Sequence, residues 1–164
     1  MTIDDLALLK ARLDLQDLNT AFTYFLDHNR IEDLVNLFTE DALYTHGERQ
    51  SRGRGAIRLL FVKRAQGGLR TSRHMATGLM VQIEDKSLAR GTSVCMTFAF
   101  DGAPPIVPAI PHLVADFEDV YRKCTDNRWR IAERHIRRLF VAASNPGPMG
   151  LNTPPAAASA EENK

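Results

Sequence analysis

Cysteine is almost missing from this chain. Cys95 and Cys124 are its only two among 164 residues, each inside an apolar alternating segment, so neither a disulfide framework nor a cysteine zinc site is available. Both read as reduced, buried residues. An excess of either charge is lacking as well: 21 Lys plus Arg against 20 Asp plus Glu leave +1, too little to hold nucleic acid or an anionic membrane by a broad field. No apolar run reaches the length of a membrane span, and the start Met1-Thr2-Ile3-Asp4-Asp5 has no basic stretch followed by an apolar one. No His-x-x-x-His metal pair, Gly-rich phosphate loop or Gly-x-Ser-x-Gly elbow occurs. The expectation is a cytoplasmic protein that takes a small molecule, with no metal, no organic cofactor, no nucleic acid and no membrane.

What is present is enough chain for one domain with a core of its own. Leu15, Leu18, Phe22 and Phe25 recur at helical spacing and predict a helix from about Asp4 to Leu26. Asn29 followed by Glu32 reads as an N-cap and its capping-box partner, opening a second helix with Ile31, Leu34, Val35 and Phe38 as its stripe. Thr39-Glu40-Asp41 reads as a polar turn into a short strand, Ala42 to His46, followed by a loop marked by Gly47, Gly53 and Gly55. Ile57, Leu60 and Phe61 predict a third helix ending before Gly67-Gly68.

Then the pattern changes to strands: Thr71 to Glu84, Leu88 to Phe100, His112 to Cys124 and Arg128 to Phe140, rich in β-branched and aromatic residues. Helices first and antiparallel strands afterwards indicate an α+β domain over residues 1–143. The segment Asp101 to Pro111 holds four prolines and must be a loop. Residues 144–164 read as a Pro/Ala-rich, partly disordered tail.

Candidate chemistry centres on Asp27 and His74. A carboxylate in the last turn of a helix faces the negative end of the macrodipole, so Asp27 is not placed there to stabilise the helix. Counted at about 100° per residue from Leu18 and Phe22, it points toward solvent unless the chain leaves helical geometry there. His74 shares its strand face with Ala76 and Gly78, against Met75, Thr77, Leu79, Val81 and Ile83 on the other. Ala89, Gly91, Ser93, Cys95, Thr97 and Ala99 repeat that bareness on the next strand. Small side chains on one face leave room for a helix or a ligand. If the fold joins Asp27 to His74, the pair is a carboxylate-oriented imidazole able to act as a general base near neutral pH. His46 and Tyr44 share a face and can line the same space. His28 reads as solvated, and His112 and His135 as structural. Arg130, Arg134, Arg137 and Arg138 make the last strand basic, with Arg130, Arg134 and Arg138 on one face, and either a solvated face or ion pairs with Asp116, Glu118 and Asp119 of its hairpin partner is expected.

The order of several segments resembles the SnoaL-like, scytalone dehydratase-like branch of the nuclear transport factor 2-like superfamily. These are Tyr24 to Asp27, Asp33 to Ala42, Gly53-Arg54-Gly55-Ala56-Ile57, Arg73-His74 and Trp129-Arg130-Ile131-Ala132-Glu133-Arg134. The resemblance implies a cone of curved antiparallel sheet closed by three helices around a pocket, often in a homodimer or homotrimer. It also implies a lyase or isomerase acting on a small hydrophobic, aromatic or polycyclic substrate. Asp27, His74 and Arg134 fall on catalytic positions of its elimination enzymes, with Tyr24, Tyr44 and His46 as substrate-binding candidates. Of the elimination enzymes in that branch, the hexachlorocyclohexane dehydrochlorinase has a lysine where this chain has Phe22, and scytalone dehydratase has a tyrosine where His46 stands. The same fold implies two rival readings, the noncatalytic small subunit of an aromatic-ring dioxygenase and a ligand-binding module without chemistry.

Overall fold

A computed structural model describes residues 3–142. The Pro/Ala-rich segment 144–164 lies outside the described residues. Three helices, α1 (Ile3–Asp27), α2 (Ile31–Asn36) and α3 (Arg54–Gln66), cover one face of a six-stranded curved, unclosed sheet. Its strands are β1 (Phe38–His46), β2 (Arg49–Arg52), β3 (Arg70–Ile83), β4 (Leu88–Asp101), β5 (Leu113–Lys123) and β6 (Trp129–Val141), in the spatial order β2-β1-β6-β5-β4-β3. The α+β expectation holds, and the long strands end within a few residues of their predicted limits. The loop expected between Asp101 and Pro111 joins β4 to β5.

The core forms where the helical stripes meet the sheet. Phe22 of α1 stands edge-on to Phe38, Phe61 and Phe117 at centroid distances of 6.0, 6.4 and 6.1 Å, which ties α1, α3, β1 and β5 together through favourable aromatic geometry. The repeated small residues of β4 let side chains of the neighbouring strands approach. At Gly91 a Cβ would fall 2.9 Å from the Tyr121 ring and 3.2 Å from Leu79 Cδ1.

Several local expectations are corrected. Asn29 does not cap α2; it takes φ +52° and ends α1, with Arg30 N donating back to Phe25 O at 2.9 Å, and Arg30 occupies the N-cap. Asn tolerates the left-handed conformation that such helix ends use. Thr39, Glu40 and Asp41 are part of β1, whose pairing with β6 is irregular between Phe38 and Leu43. The loop after His46 contains the edge strand β2, paired from Leu43↔Arg52 to His46↔Arg49. The sheet is not wholly antiparallel, because β1 runs parallel to β6.

The largest correction concerns β3. Gly78 has φ +66°, and the β3–β4 register shifts between Thr77 and Met80. This bulge reverses the alternation, so Val81 and Ile83 pack against the core while Met75 and Met80 are exposed. Of the residues expected on one filled face, Met75 and Thr77 lie on the outer side, whereas Leu79, Val81 and Ile83 turn inward beyond the bulge.

Candidate active site

On α1, Leu15, Asn19, Thr23 and Asp27 form an i, i+4 row, and the first three are buried. This row widens the inward face beyond the Leu18–Phe22 stripe and carries Asp27 to β3 while it remains in the helix. The expectation that helical geometry would turn it to solvent is therefore corrected. Its carboxylate Oδ1 lies 2.6 Å from His74 Nδ1, and Oδ2 accepts the backbone N–H of His74 at 2.7 Å. Ser72, two residues earlier on the same strand face, donates its hydroxyl to Oδ1 at 2.8 Å. The two side chains are 4% and 13% exposed for Asp27 and His74. With Nδ1 engaged, Nε2 is the ring nitrogen left for the cavity.

Burial alone would raise the Asp27 pKa, yet the hydrogen bonds and charge of His74, with Ser72, outweigh it and hold the carboxyl below its ordinary value. The imidazole behaves oppositely: burial lowers its pKa and the nearby Arg64 and Arg70 add to that, against the raising effect of Asp27. The pair thus rests as carboxylate and neutral imidazole at neutral pH.

His74 opens into a cavity of about 110 Å³ whose apolar wall includes Phe22, Leu26, Tyr44, Phe61, Leu113 and Phe117. Its polar lining includes His46, Arg49, Arg64, Arg70, Asp101 and His112. Burial, reinforced by Arg138 and Arg49, depresses the His46 pKa to about 4, so this ring is neutral; its Nε2 has no hydrogen-bond partner among the described residues. Tyr44 is buried and its phenol is pushed up to about 12, so it can only be a neutral hydroxyl.

Two expected site residues lie elsewhere. Tyr24 is half exposed on the far side of α1, stacked on His28 at 4.1 Å, and does not line the cavity. Arg134 is wholly buried behind the wall. It gives Nε to Asp119 Oδ1 at 2.8 Å and Nη2 to Asp119 Oδ2 at 2.7 Å and to Asn19 Oδ1, and it stacks on Phe22 and Phe117 at 4.2 and 4.7 Å. Asp119 also accepts the Tyr121 hydroxyl at 2.6 Å. Arg134 therefore braces two cavity-lining rings without entering the cavity. Of the ion pairs expected for β6, the buried Arg134–Asp119 pair is present and Arg137 pairs with Asp116 and Glu118, whereas Arg130 pairs with Asp126 in the turn.

Ser72, Arg64, Arg70 and His112 were not singled out for this site by sequence reasoning. The i, i+2, i+4 series Arg70, Ser72, His74 was the available signal. No cluster of three or more His, Cys, Asp or Glu able to hold a metal occurs among the described residues, and no described helix is long and apolar enough to cross a membrane.

Comparisons with known proteins agree with this fold. A family model for the SnoaL-like domain matches residues 7–135. Among solved structures, a Novosphingobium aromaticivorans protein named provisionally as a scytalone dehydratase is 20% identical, with 85% of this chain and 91% of that one covered at a TM-score of 0.73. An NTF2-like protein with a cystatin-like fold, also from Novosphingobium aromaticivorans, is 23% identical, with 87% and 90% covered and a TM-score of 0.70. A Catenulispora acidiphila protein solved in complex with S-DNPA is 20% identical, with 79% and 94% covered and a TM-score of 0.68. At these identities the likeness is one of fold. No curated protein matches the sequence.

Proposed function

The chain belongs to the SnoaL-like domain family, and from that premise we propose that it is a cofactor-independent small-molecule lyase or isomerase. Neutral His74 takes a proton from a substrate carbon through Nε2, and Asp27 holds the tautomer and stabilises the imidazolium that forms. The proton is then returned, for isomerisation, or a leaving group departs, for elimination. His46 donates a hydrogen bond from its neutral ring to developing negative charge, and Tyr44 contributes shape and a neutral hydroxyl to the wall. Arg134 acts at one remove, by fixing Phe22 and Phe117. The proposed substrate is small, hydrophobic or aromatic, and the complex of the Catenulispora protein with S-DNPA supports a small-molecule occupant of such a fold.

The single observation that carries this reading is the 2.6 Å contact between a buried carboxylate and a cavity-facing imidazole. Burying a charge in the last turn of a helix is costly unless its partners serve a purpose, which disfavours both the noncatalytic subunit and the passive binding module. The test is turnover of a panel of small carbonyl-containing substrates. Asp27→Asn and His74→Ala should each lower kcat by about 10²- to 10⁴-fold with circular dichroism unchanged. A well-folded variant of either kind that keeps the wild-type rate refutes the assignment.

The proposal also includes a cytoplasmic homodimer or homotrimer. The outer sheet face presents Met75, Val94, Phe100 and Phe140, at 49%, 41%, 47% and 70% exposure, and contiguous apolar surface of this kind marks association sites.

A further inference from the structure

The cavity's polar end holds more positive charge than its own carboxylates neutralise. Arg70 opens β3 on the same face as Ser72 and His74, and its side chain is only 13% exposed. Its Nε is buried with no hydrogen-bond partner among the described residues, and its one carboxylate contact, Nη1 to Asp101, is long at 3.4 Å and ends on a side chain that is mostly exposed. Arg64, from the last turn of α3, is half-buried; its recorded bonds go to a backbone carbonyl, Leu26 O at 3.2 Å, and to the Ser72 hydroxyl at 3.1 Å. Burial disfavours the charge on both guanidinium groups, and Arg70 further disfavours that on Arg64. Asp27, the nearest enclosed anion, is already committed to His74 and Ser72.

Two desolvated cations beside one shared carboxylate are expensive. Planar guanidinium forks with spare N–H donors match a carboxylate ligand, and charge-assisted bonds to it would offset that cost. We propose that Arg70 and Arg64 form an anion-binding subsite and that the substrate of this cavity is a small apolar carboxylate, its ring against Phe22, Phe61 and Phe117 and its reacting carbon toward His74. The cavity of about 110 Å³ is somewhat smaller than the roughly 150 Å³ that holds a benzene ring, so its enclosed part takes a body no larger than one ring. The carboxylate is an anchor in this arrangement and takes no part in bond making or breaking. The inference rests on the proposed function only in placing both events in one cavity.

The test is calorimetric titration of the full chain with benzoate and with benzamide, a neutral probe of the same shape. Wild type should bind benzoate about tenfold or more tighter, since a hydrogen bond to a charged group exceeds a neutral one by roughly that factor. Arg70→Met should abolish most of the preference, Arg70→Lys should keep part of it, and His74→Ala should retain it. Equal affinities, tighter binding of benzamide, or no binding of either probe by wild type overturns the subsite. So does an undiminished preference in folded Arg70→Met; if that variant does not fold, the wild-type comparison decides alone. A dyad variant with full turnover sinks the proton-transfer reading and leaves this subsite standing, whereas inactive dyad variants beside a wild type without benzoate preference do the reverse.

Discussion

Asp27 and His74 are joined by short bonds whose electrical consequences run in opposite directions. Because the imidazole pKa lies below its ordinary value of 6.5 while Asp27 stays ionised, the competent base form is present at neutral pH and is lost as pH falls through the depressed His74 pKa. The acid limb of kcat/KM should therefore have its midpoint below 6.5; a limb centred above that value contradicts the neutral-imidazole assignment. Arg134 allows a second prediction at this scale. It and Asp119 are both 0% exposed, and breaking such a pair strands a charge in the interior. Asp119→Asn should cost about 3–5 kcal/mol in urea unfolding, and the double variant Arg134→Met with Asp119→Leu should cost less than either single change. The Asp27–His74 contact was legible in the sequence only in part. A helix-terminal carboxylate and a histidine on a bare strand face both need an explanation, but counting from Leu18 and Phe22 turns Asp27 toward solvent and misses the row Leu15, Asn19, Thr23 that carries it inward. The exclusion of Arg134 from the cavity was not legible, since nothing in a strand's alternation says whether an inward arginine meets a ligand or a buried aspartate.

Among the elements, β3 and β4 depart from a plain alternating hairpin. The glycine bulge at Gly78 turns the second half of β3 over, and Gly91 then lets Leu79 and Tyr121 close in. Gly91→Ala should overpack this contact and lower stability by about 1–3 kcal/mol, read as a shift of the denaturation midpoint at constant slope; an unchanged midpoint would mean the neighbouring side chains yield freely. The extents of β3 to β6 and of α1 and α3 could be read from periodicity alone. The bulge could not, because a lone glycine within an alternating run gives no sign of which way the count resumes. The same limit applies to β2, four polar residues whose pairing depends on β1, and to Asn29, whose capping-box pattern competes with its tolerance for positive φ.

For the molecule as a whole, the sheet has a covered inner face and an outer face with an apolar row. Met75, Met96, Val114 and Phe140 are cross-strand neighbours through β3, β4, β5 and β6. Phe140→Lys placed in this row should shift sedimentation from the oligomer toward the monomer while leaving the fold intact. A wild type that sediments as a monomer at micromolar concentration rules the association out. The α+β class was legible from the order of helical and alternating segments, but the parallel β1–β6 pairing was not, because only contact between distant segments reveals it. That pairing has a consequence in time. β1 borders only β2 and β6, and Thr45 bonds His135 across 90 residues. A nascent chain leaving the ribosome must therefore wait for its final strand before Tyr44 and His46 gain their permanent backing. Closing so long a loop is slow, and refolding from denaturant should be correspondingly leisurely, with ligand binding recovered in the last phase.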